Sequence, residues 1–426
     1  MTNPHGGTGS LLRDPEFRHL WTAGVVQFLV RWLEVLVFGV FTYQETGSAF
    51  LVAGMTMIRL LPLAVFGVAF GALAARIRRR SGLIVTLSTL VATAGVLVVV
   101  AAAGHLEVWH LAVASVVNGI SWAADNPLRR GLIGDVAGFH RMGAAMALDV
   151  GASNASRLIG PGLGGMLLVQ SGMAAVFGLA TVLYLGALIA VLRLRDREVP
   201  RATERVSLSA TLAAGFIAAR ASPRLAGALW LTVLYNVFAW PVLSMVPVIG
   251  QDRLGLAADG IGVLASMDGV GTLIGALALA ALAKPSMHGR LYVGGAVLFL
   301  TIMPLFALST EPLMAGAALL VAGIGQAAFS VMQSTIVFLA APVERRMQAM
   351  GLLTMCIGVG PLGFLMLGWL AEGFGATVAA VFSSGAGLVV LGGTWRWWRA
   401  CWRDTEVEGP GTGVKALERQ PQQPLR

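Results

Sequence analysis

Continuous apolar runs of about 20 residues, the length a helix needs to cross a bilayer, alternate along the chain with short polar breaks. Their continuity, without the every-second-residue alternation of a membrane strand, predicts helices and disfavours a closed β-barrel. The runs predict spans over 19–42, 49–75, 83–103, 106–126, 142–170 and 173–193. A second set follows over 225–249, 258–283, 290–308, 312–338, 347–371 and 376–397. The expected fold class is an all-α membrane protein: twelve transmembrane helices in two pseudo-symmetric six-helix bundles. The domain reading is a cytoplasmic N-terminal segment (1–18), an N-terminal bundle (19–193), a cytoplasmic linker (194–224), a C-terminal bundle (225–397) and a cytoplasmic tail (398–426). Met1 to Arg18 lack the apolar core and cleavage site of a secretory signal, so the first helix is expected to insert and stay.

An internal duplication supports the count. Gly71-Ala-Leu-Ala74 recurs as Gly275-Ala-Leu-Ala278, Arg141-Met142 with Ala145-Met146 as Arg346-Met347 with Ala349-Met350, and Pro15 with Trp21 as Pro223 with Trp230. The offsets all lie at about 204 to 209 residues, the pattern of a membrane protein whose halves repeat. In the linker, Leu208, Leu212 and Phe216 at helical spacing, with Ile217 beside them, predict an amphipathic helix at the cytoplasmic interface; a solvated linker is the alternative. After the last span, Trp395, Trp397, Trp398 and Trp402 among arginines predict an interfacial anchor, and the Gly/Pro/Gln-rich stretch from Thr405 a disordered tail.

Composition agrees: 57% of the 426 residues are apolar and 12% charged, about half the charged share of soluble proteins. The net charge of +9 resides in short connections, where it sets membrane orientation instead of binding nucleic acid. One family of connections holds Arg76, Arg78, Arg79, Arg80, Arg129, Arg130, Arg141, Lys284, Arg290, Arg345 and Arg346. The alternate connections hold Glu45, Glu107, Asp252, Arg253, Glu311 and Glu372. The basic set is therefore expected to face the cytoplasm with both termini, in the cell (inner) membrane. Cys356 and Cys401 imply neither a disulfide framework nor a metal site, and His19, His105, His110 and His288 have no metal-ligand spacing. No cofactor is expected.

Several stretches in order along the chain resemble the major facilitator superfamily, in its drug and siderophore exporter branch, similar to macrolide and enterobactin exporters. They are TGSA (Thr46 to Ala49), RLLP (Arg59 to Pro62), GALAARIRRR (Gly71 to Arg80), NPLRRGLI (Asn126 to Ile133) and RLIGPGLGG (Arg157 to Gly165). GALAARIRRR looks like the superfamily's loop between helices two and three, which implies conformational roles for Gly71, Arg76 and Arg80. Its usual Asp before the first Arg is replaced by Ala75, so the acidic latch is missing. The remaining arginines either bind lipid phosphates and helix-end carbonyls or only enforce topology. Asn118-Gly119 stands where many proton-coupled relatives carry Arg before Gly; an amide hydrogen-bonds but brings no fixed charge. GPGLGG resembles the exporter motif. Pro161 removes a backbone donor, while Gly160, Gly162, Gly164 and Gly165 allow close helix approach. A bendable contact between halves and tight packing alone both fit, and Gly358 to Gly363 with Pro361 form the counterpart.

Charges inside spans need partners or water, since even the lenient insertion scale sets an isolated ion at about 2.5 to 3.5 kcal/mol. Arg31 and Glu34 lie in the first span and Arg59 in the second, with Glu34 and Arg59 at similar depth. Glu34 is read either as a proton-coupling group with Arg59 as counter-charge or as half of a permanent structural pair. Asp149, Ser153 and Arg157 recur every four residues, with Asn154 beside them. Arg157 is expected to line the cavity and touch an anionic or polar substrate group, or to bond carbonyls freed near GPGLGG. Asp268, the acidic residue deep in the second half, and Asp149 complete the coupling candidates, whereas Asp125 is expected to bridge locally to Arg129 or Arg130. Gln27, Trp122, Tyr235, Asn236, Trp240, Gln326, Phe329 and Gln333 are candidate lining groups of an amphipathic cavity, together with Arg59, Asn118 and Asn154.

These features predict a secondary active transporter, not an enzyme, that exports a small amphipathic drug- or siderophore-like molecule by alternating access. Export and multidrug character follow from the resemblance. Proton antiport follows from the intramembrane carboxylates and the lack of a GxxxxGK[ST] loop. Expected partners are the small-molecule substrate, protons and membrane lipids, with the protein working as a monomer. Solute uptake or facilitated diffusion, and a non-cycling membrane sensor or scaffold, are the alternatives.

Overall fold

The computed structural model describes residues 8–74, 77–138, 141–195, 217, 219–342 and 345–402, and among them regular structure is helical throughout. The first four spans are Pro15–Thr46, Ala49–Ala74, Arg79–Ala102 and Val108–Ala137. The fifth and sixth form one run, Met142–Leu192, broken at Gly172. The seventh runs over Pro223–Asp252, followed by Ala258–Leu282, His288–Leu308, Pro312–Ala340, Gln348–Phe374 and Ala376–Gly393. Twelve crossings in two sets of six result. Leu208, Leu212 and Phe216 of the expected linker helix, Arg76 of the basic loop and the tail from Thr405 lie outside the described residues.

The ends of the helices follow local chemistry. The first span begins at Pro15 instead of 19 because the Asp14 side chain accepts from the Glu16 N–H at 2.9 Å and Pro15 fills the first turn. It ends at Gly47, whose φ of 63° suits the left-handed cap donating to the Tyr43 carbonyl. Gly172, φ 71°, makes the sharp turn between spans five and six. The twelfth span stops at Gly393, short of the expected 397; a separate helix, Trp395–Trp402, then packs back on the bundle. Trp398 donates to the Leu391 carbonyl at 2.8 Å, and Gly227 and Gly289 leave room for the backbone of residues 397 to 402. Trp398 is buried in this contact, whereas Trp395, Trp397 and Trp402 are exposed as an interfacial anchor requires.

Span seven is irregular where the sequence predicts a plain helix. A π-turn covers Tyr235–Ala239 and a 3-10 segment Trp240–Met245, because Pro241 and Pro247 cannot donate to the preceding turns. Buried carbonyls must still be satisfied in a membrane. Ser383 donates to the Phe238 carbonyl at 2.9 Å and Ser244 to the Pro241 carbonyl at 2.7 Å.

The two bundles meet through glycines. Gly160 and Gly164 face span one: a Cβ at Gly160 would stand 2.7 Å from Trp32 Cβ, and one at Gly164 3.1 Å from the Leu33 carbonyl. The adjoining face meets span eight, where a Cβ at Gly165 would overlap the Ala258 carbonyl and one at Gly262 would reach 2.6 Å from the Pro161 carbonyl. The Gly162 N–H donates across this seam to Ser266 Oγ at 3.1 Å. Overpacking costs about 1 to 3 kcal/mol, so Gly165→Leu is expected to slow substrate movement in reconstituted vesicles by about tenfold or more. Gly151→Leu, at a glycine with open space around it, is expected to leave the rate unchanged.

The halves close at one end. The C-terminal bundle's apolar core continues into Leu36, Val40, Tyr43, Val52 and Ala53, whereas the cluster around Phe17, Leu87 and Leu132 near the basic connections draws on the N-terminal half. At the acidic end Tyr43 donates to Asp252, and Glu372 of span eleven accepts from Ser48 Oγ at 2.9 Å and the Phe50 N–H at 3.2 Å, capping span two from the opposite half. Leu61, Phe66 and Met355, toward the basic end, are exposed.

Candidate functional site

A cavity of about 200 Å³ lies between the halves, lined from spans one, two, four, five, seven, eight and eleven. Its wall is apolar and aromatic, with Trp32, Trp122, Trp240 and Phe364, interrupted by Arg31, Arg59, Arg157 and Asp268. The close approach of Gly39 to Pro247 stands toward its acidic end. A smaller pocket of about 20 Å³ adjoins it within the N-terminal half and shares Arg31, Arg59 and Trp122 with it.

Three buried charge clusters hold the intramembrane carboxylates. In the first, Arg59 Nη2 lies 3.4 Å from Glu34 Oε2, and Asn118 Nδ2 donates to the same oxygen at 2.8 Å. Spans one, two and four thus meet at one carboxylate, and the depth match between Glu34 and Arg59 becomes a contact. Gly119 permits it: a Cβ there would overlap the Arg59 carbonyl. Gln27 lines the adjoining pocket, and its Nε2 has no partner among the described residues.

The second cluster joins the halves. Arg157 Nη2 on span five lies 2.5 Å from Asp268 Oδ2 on span eight and donates to Gln326 Oε1 on span ten at 2.6 Å. The guanidinium sits 4.9 Å from the Trp32 ring centre, within cation–π range. Span eight carries Asp268 to this point because Gly269 lets it approach Leu158, where a Cβ would stand 2.6 Å from the backbone. One oxygen of Asp268, Oδ1, has no partner among the described residues.

The third cluster lies apart from the cavity. Arg129 donates to Asp125 at 2.9 Å and to Asp149, all three side chains being almost fully buried within the N-terminal bundle. Gly24 makes space for the arginine, since a Cβ there would stand 2.8 Å from Arg129 Nη1. Asp125 therefore bridges to Arg129, and Asp149 faces the same arginine instead of the central cavity.

The remaining candidates divide. Trp122 and Trp240 line the cavity. Tyr235 is buried in the C-terminal core, stacked on Phe329 with ring centres 3.8 Å apart. Asn236 donates to the Thr232 carbonyl at 2.8 Å and Gln333 to Thr232 Oγ1 at 3.1 Å, both inside that bundle. Asn154 is half-buried and Ser153, beside it, reaches the cavity wall. In the basic loop Arg80 donates to the Leu192 carbonyl at 2.7 Å, capping the sixth span, and Arg79 pairs with Asp135 at 2.6 Å. Gly71 lies near the end of the second-span helix. Trp32 and Phe364 were not singled out by sequence reasoning. The usable signal for Trp32 was a large aromatic next to an intramembrane arginine; Phe364 carried none.

Two six-helix bundles closing on a charged central cavity define a transporter of the major facilitator superfamily. The nucleoside transporter NupG superposes with a TM-score of 0.72 at 12% identity, covering 91% of this chain and 99% of that one. A bacterial homologue of the human lysosomal transporter Spinster, inward-facing and unoccupied, gives 0.71 at 15% identity over 91% and 97% of the two chains. A POT family transporter in complex with 5-aminolevulinic acid gives 0.71 at 12% identity over 90% and 96%. These likenesses establish the fold. The model of the transmembrane secretion effector family matches residues 7–398, and the chain belongs to that family. Macrolide efflux protein A of Streptococcus pyogenes is 22% identical over 269 residues, 62% of this chain, and the match spans about two thirds (66%) of that relative's length. Family and fold are those of transporters, not enzymes.

Proposed function

We propose that this protein is a secondary active exporter of small amphipathic molecules, driven by proton antiport through alternating access. The carrying observation is the Arg157–Asp268 ion pair at 2.5 Å, which ties one half to the other in the cavity wall. Protonating Asp268 removes the attraction across the glycine seam. Substrate entering the cavity competes for the same opening, so proton and substrate occupy the protein alternately. Glu34, whose partners Arg59 and Asn118 lie in its own half, is the second proton-exchanging group and acts on the cavity wall through Arg59. Asp149, held by Arg129, is assigned a structural role.

The moving units are 19–193 and 225–397, joined by 194–224, with 1–18, 398–426 and the basic loops on the cytoplasmic side of the cell membrane; one chain suffices because both halves of the cavity belong to it. Outward direction is supported by the secretion effector family and by similarity to a macrolide efflux protein. The test is accumulation of a panel of amphipathic fluorescent dyes in reconstituted vesicles. With the lumen acid, outward proton flow through an antiporter drives at least one dye inward, and nigericin abolishes the accumulation. Accumulation only with the outside acid would make the protein a symporter. Gradient-independent equilibration would make it a facilitator, and no dye movement a scaffold.

A further inference from the structure

The cavity and its adjoining pocket are lined by three arginines and two carboxylates. Arg59 is matched by Glu34 and Arg157 by Asp268. Arg31, midway along span one, lines both the large cavity and the pocket beside it. Its guanidinium rests on rings and forms no ion pair among the described residues: it lies 4.2 Å from the centre of the Trp122 ring and 5.5 Å from that of Phe28. No carboxylate of the described residues stands within 4.0 Å of it. Asp125 lies close enough to stabilise the Arg31 charge, but the direct contacts of Asp125 and Asp149 go to Arg129, and Arg59, itself a cation, donates to the Arg31 carbonyl at 3.4 Å.

A guanidinium resting on an indole keeps its N–H donors free at the edges. In a cavity of low dielectric such donors bind an anion far more strongly than they would in water. The wall around them is aromatic, with Trp32, Trp122 and Trp240, which suits a flat apolar body.

We infer that Arg31 is the anion receptor of the central cavity, and that the substrate class is an amphipathic organic acid: an apolar, ring-bearing body with one carboxylate or sulfonate. This rests on the cavity being the transport site, as proposed above, and assigns the anion contact to Arg31 while Asp268 is ionised, because Arg157 Nη2 is then engaged by Asp268 and Gln326 and Arg31 has no such pair.

The experiment uses the full chain in phosphatidylcholine nanodiscs and three matched probes: 9-anthracenecarboxylate, 9-anthracenemethanol and 9-anthracenemethylammonium. Binding is read by tryptophan-to-anthracene energy transfer. The carboxylate is expected to bind about tenfold more tightly than the alcohol, the size of a charge-assisted hydrogen-bonded contact, and the ammonium more weakly than either. Arg31→Gln is expected to erase the preference, the carboxylate and the alcohol then binding equally and saturably, which also shows that the variant folds; Arg31→Lys retains a reduced preference. Phosphatidylglycerol in the disc is expected to leave carboxylate affinity unchanged. If it weakens that affinity tenfold, Arg31 serves lipid headgroups and the inference falls. Alcohol binding without preference for the carboxylate overturns the organic-acid assignment and leaves the cavity reading standing. Failure of all three probes to saturate removes both.

Discussion

Asp268→Asn is expected to lose proton-driven accumulation by about 100-fold or more in vesicles with an acid lumen. Removing one partner of a buried ion pair costs about 3 to 5 kcal/mol, because the other charge stays behind without compensation. Here the stranded group is Arg157, which keeps Gln326 as an uncharged acceptor at 2.6 Å. The loss falls on the seam between the halves, where Gly162, Gly165, Gly262 and Gly269 bring the backbones into contact, so it changes the balance between conformations and not only fold stability. The second variant separates coupling from damage. In Asp268→Asn with Arg157→Gln the stranded charge is gone, so dye equilibration is expected to return while concentration against a gradient does not. If Asp268→Asn alone still concentrates dye like the wild type, Asp268 is not the coupling group.

Hydropathy made the number and order of spans legible, since a bilayer demands long apolar helices and tolerates little else. It also placed Glu34 and Arg59 at one depth, and the structure brings them within 3.4 Å. The partner of Arg157 was not legible. Asp268 lies in the other half, 111 positions along the chain, and no local periodicity connects two bundles. The stripe from Asp149 to Arg157 serves two places for a geometric reason: eight residues at about 100° each rotate a further 80° beyond two turns. That rotation takes Asp149 to Arg129, inside the bundle, and Arg157 to the seam. Arg31 was visible as an intramembrane charge, but that it lines the cavity without a direct ion pair is a property of the assembled wall. The twist of span seven was not anticipated: Pro241 and Pro247 mark where helical hydrogen bonds fail, but Ser383, which serves the Phe238 carbonyl, comes from a distant part of the chain.

Arg129→Met is expected to destabilise the protein about as much as breaking the Arg157–Asp268 pair, and to do so without regard to substrate. Met approximates the length of the arginine stem, so the apolar packing around Gly24 is largely kept and the change isolates charge. What remains is two carboxylates, Asp125 and Asp149, each at most 3% exposed at the side chain and both formerly served by the same guanidinium. Two like charges in that space cannot both stay ionised. The expected cost is about 3 to 5 kcal/mol, read as a lowered thermal transition of purified protein in detergent, with reduced yield of folded protein. Restoring the balance tests the cause. Adding Asp125→Asn and Asp149→Asn to Arg129→Met removes every unpaired charge and is expected to recover most of the lost stability, since replacing a whole buried ionic group is often neutral. If the triple variant stays as unstable as Arg129→Met, the cluster holds the fold by shape, through the Arg129 contact 4.6 Å over Phe28, and not by charge.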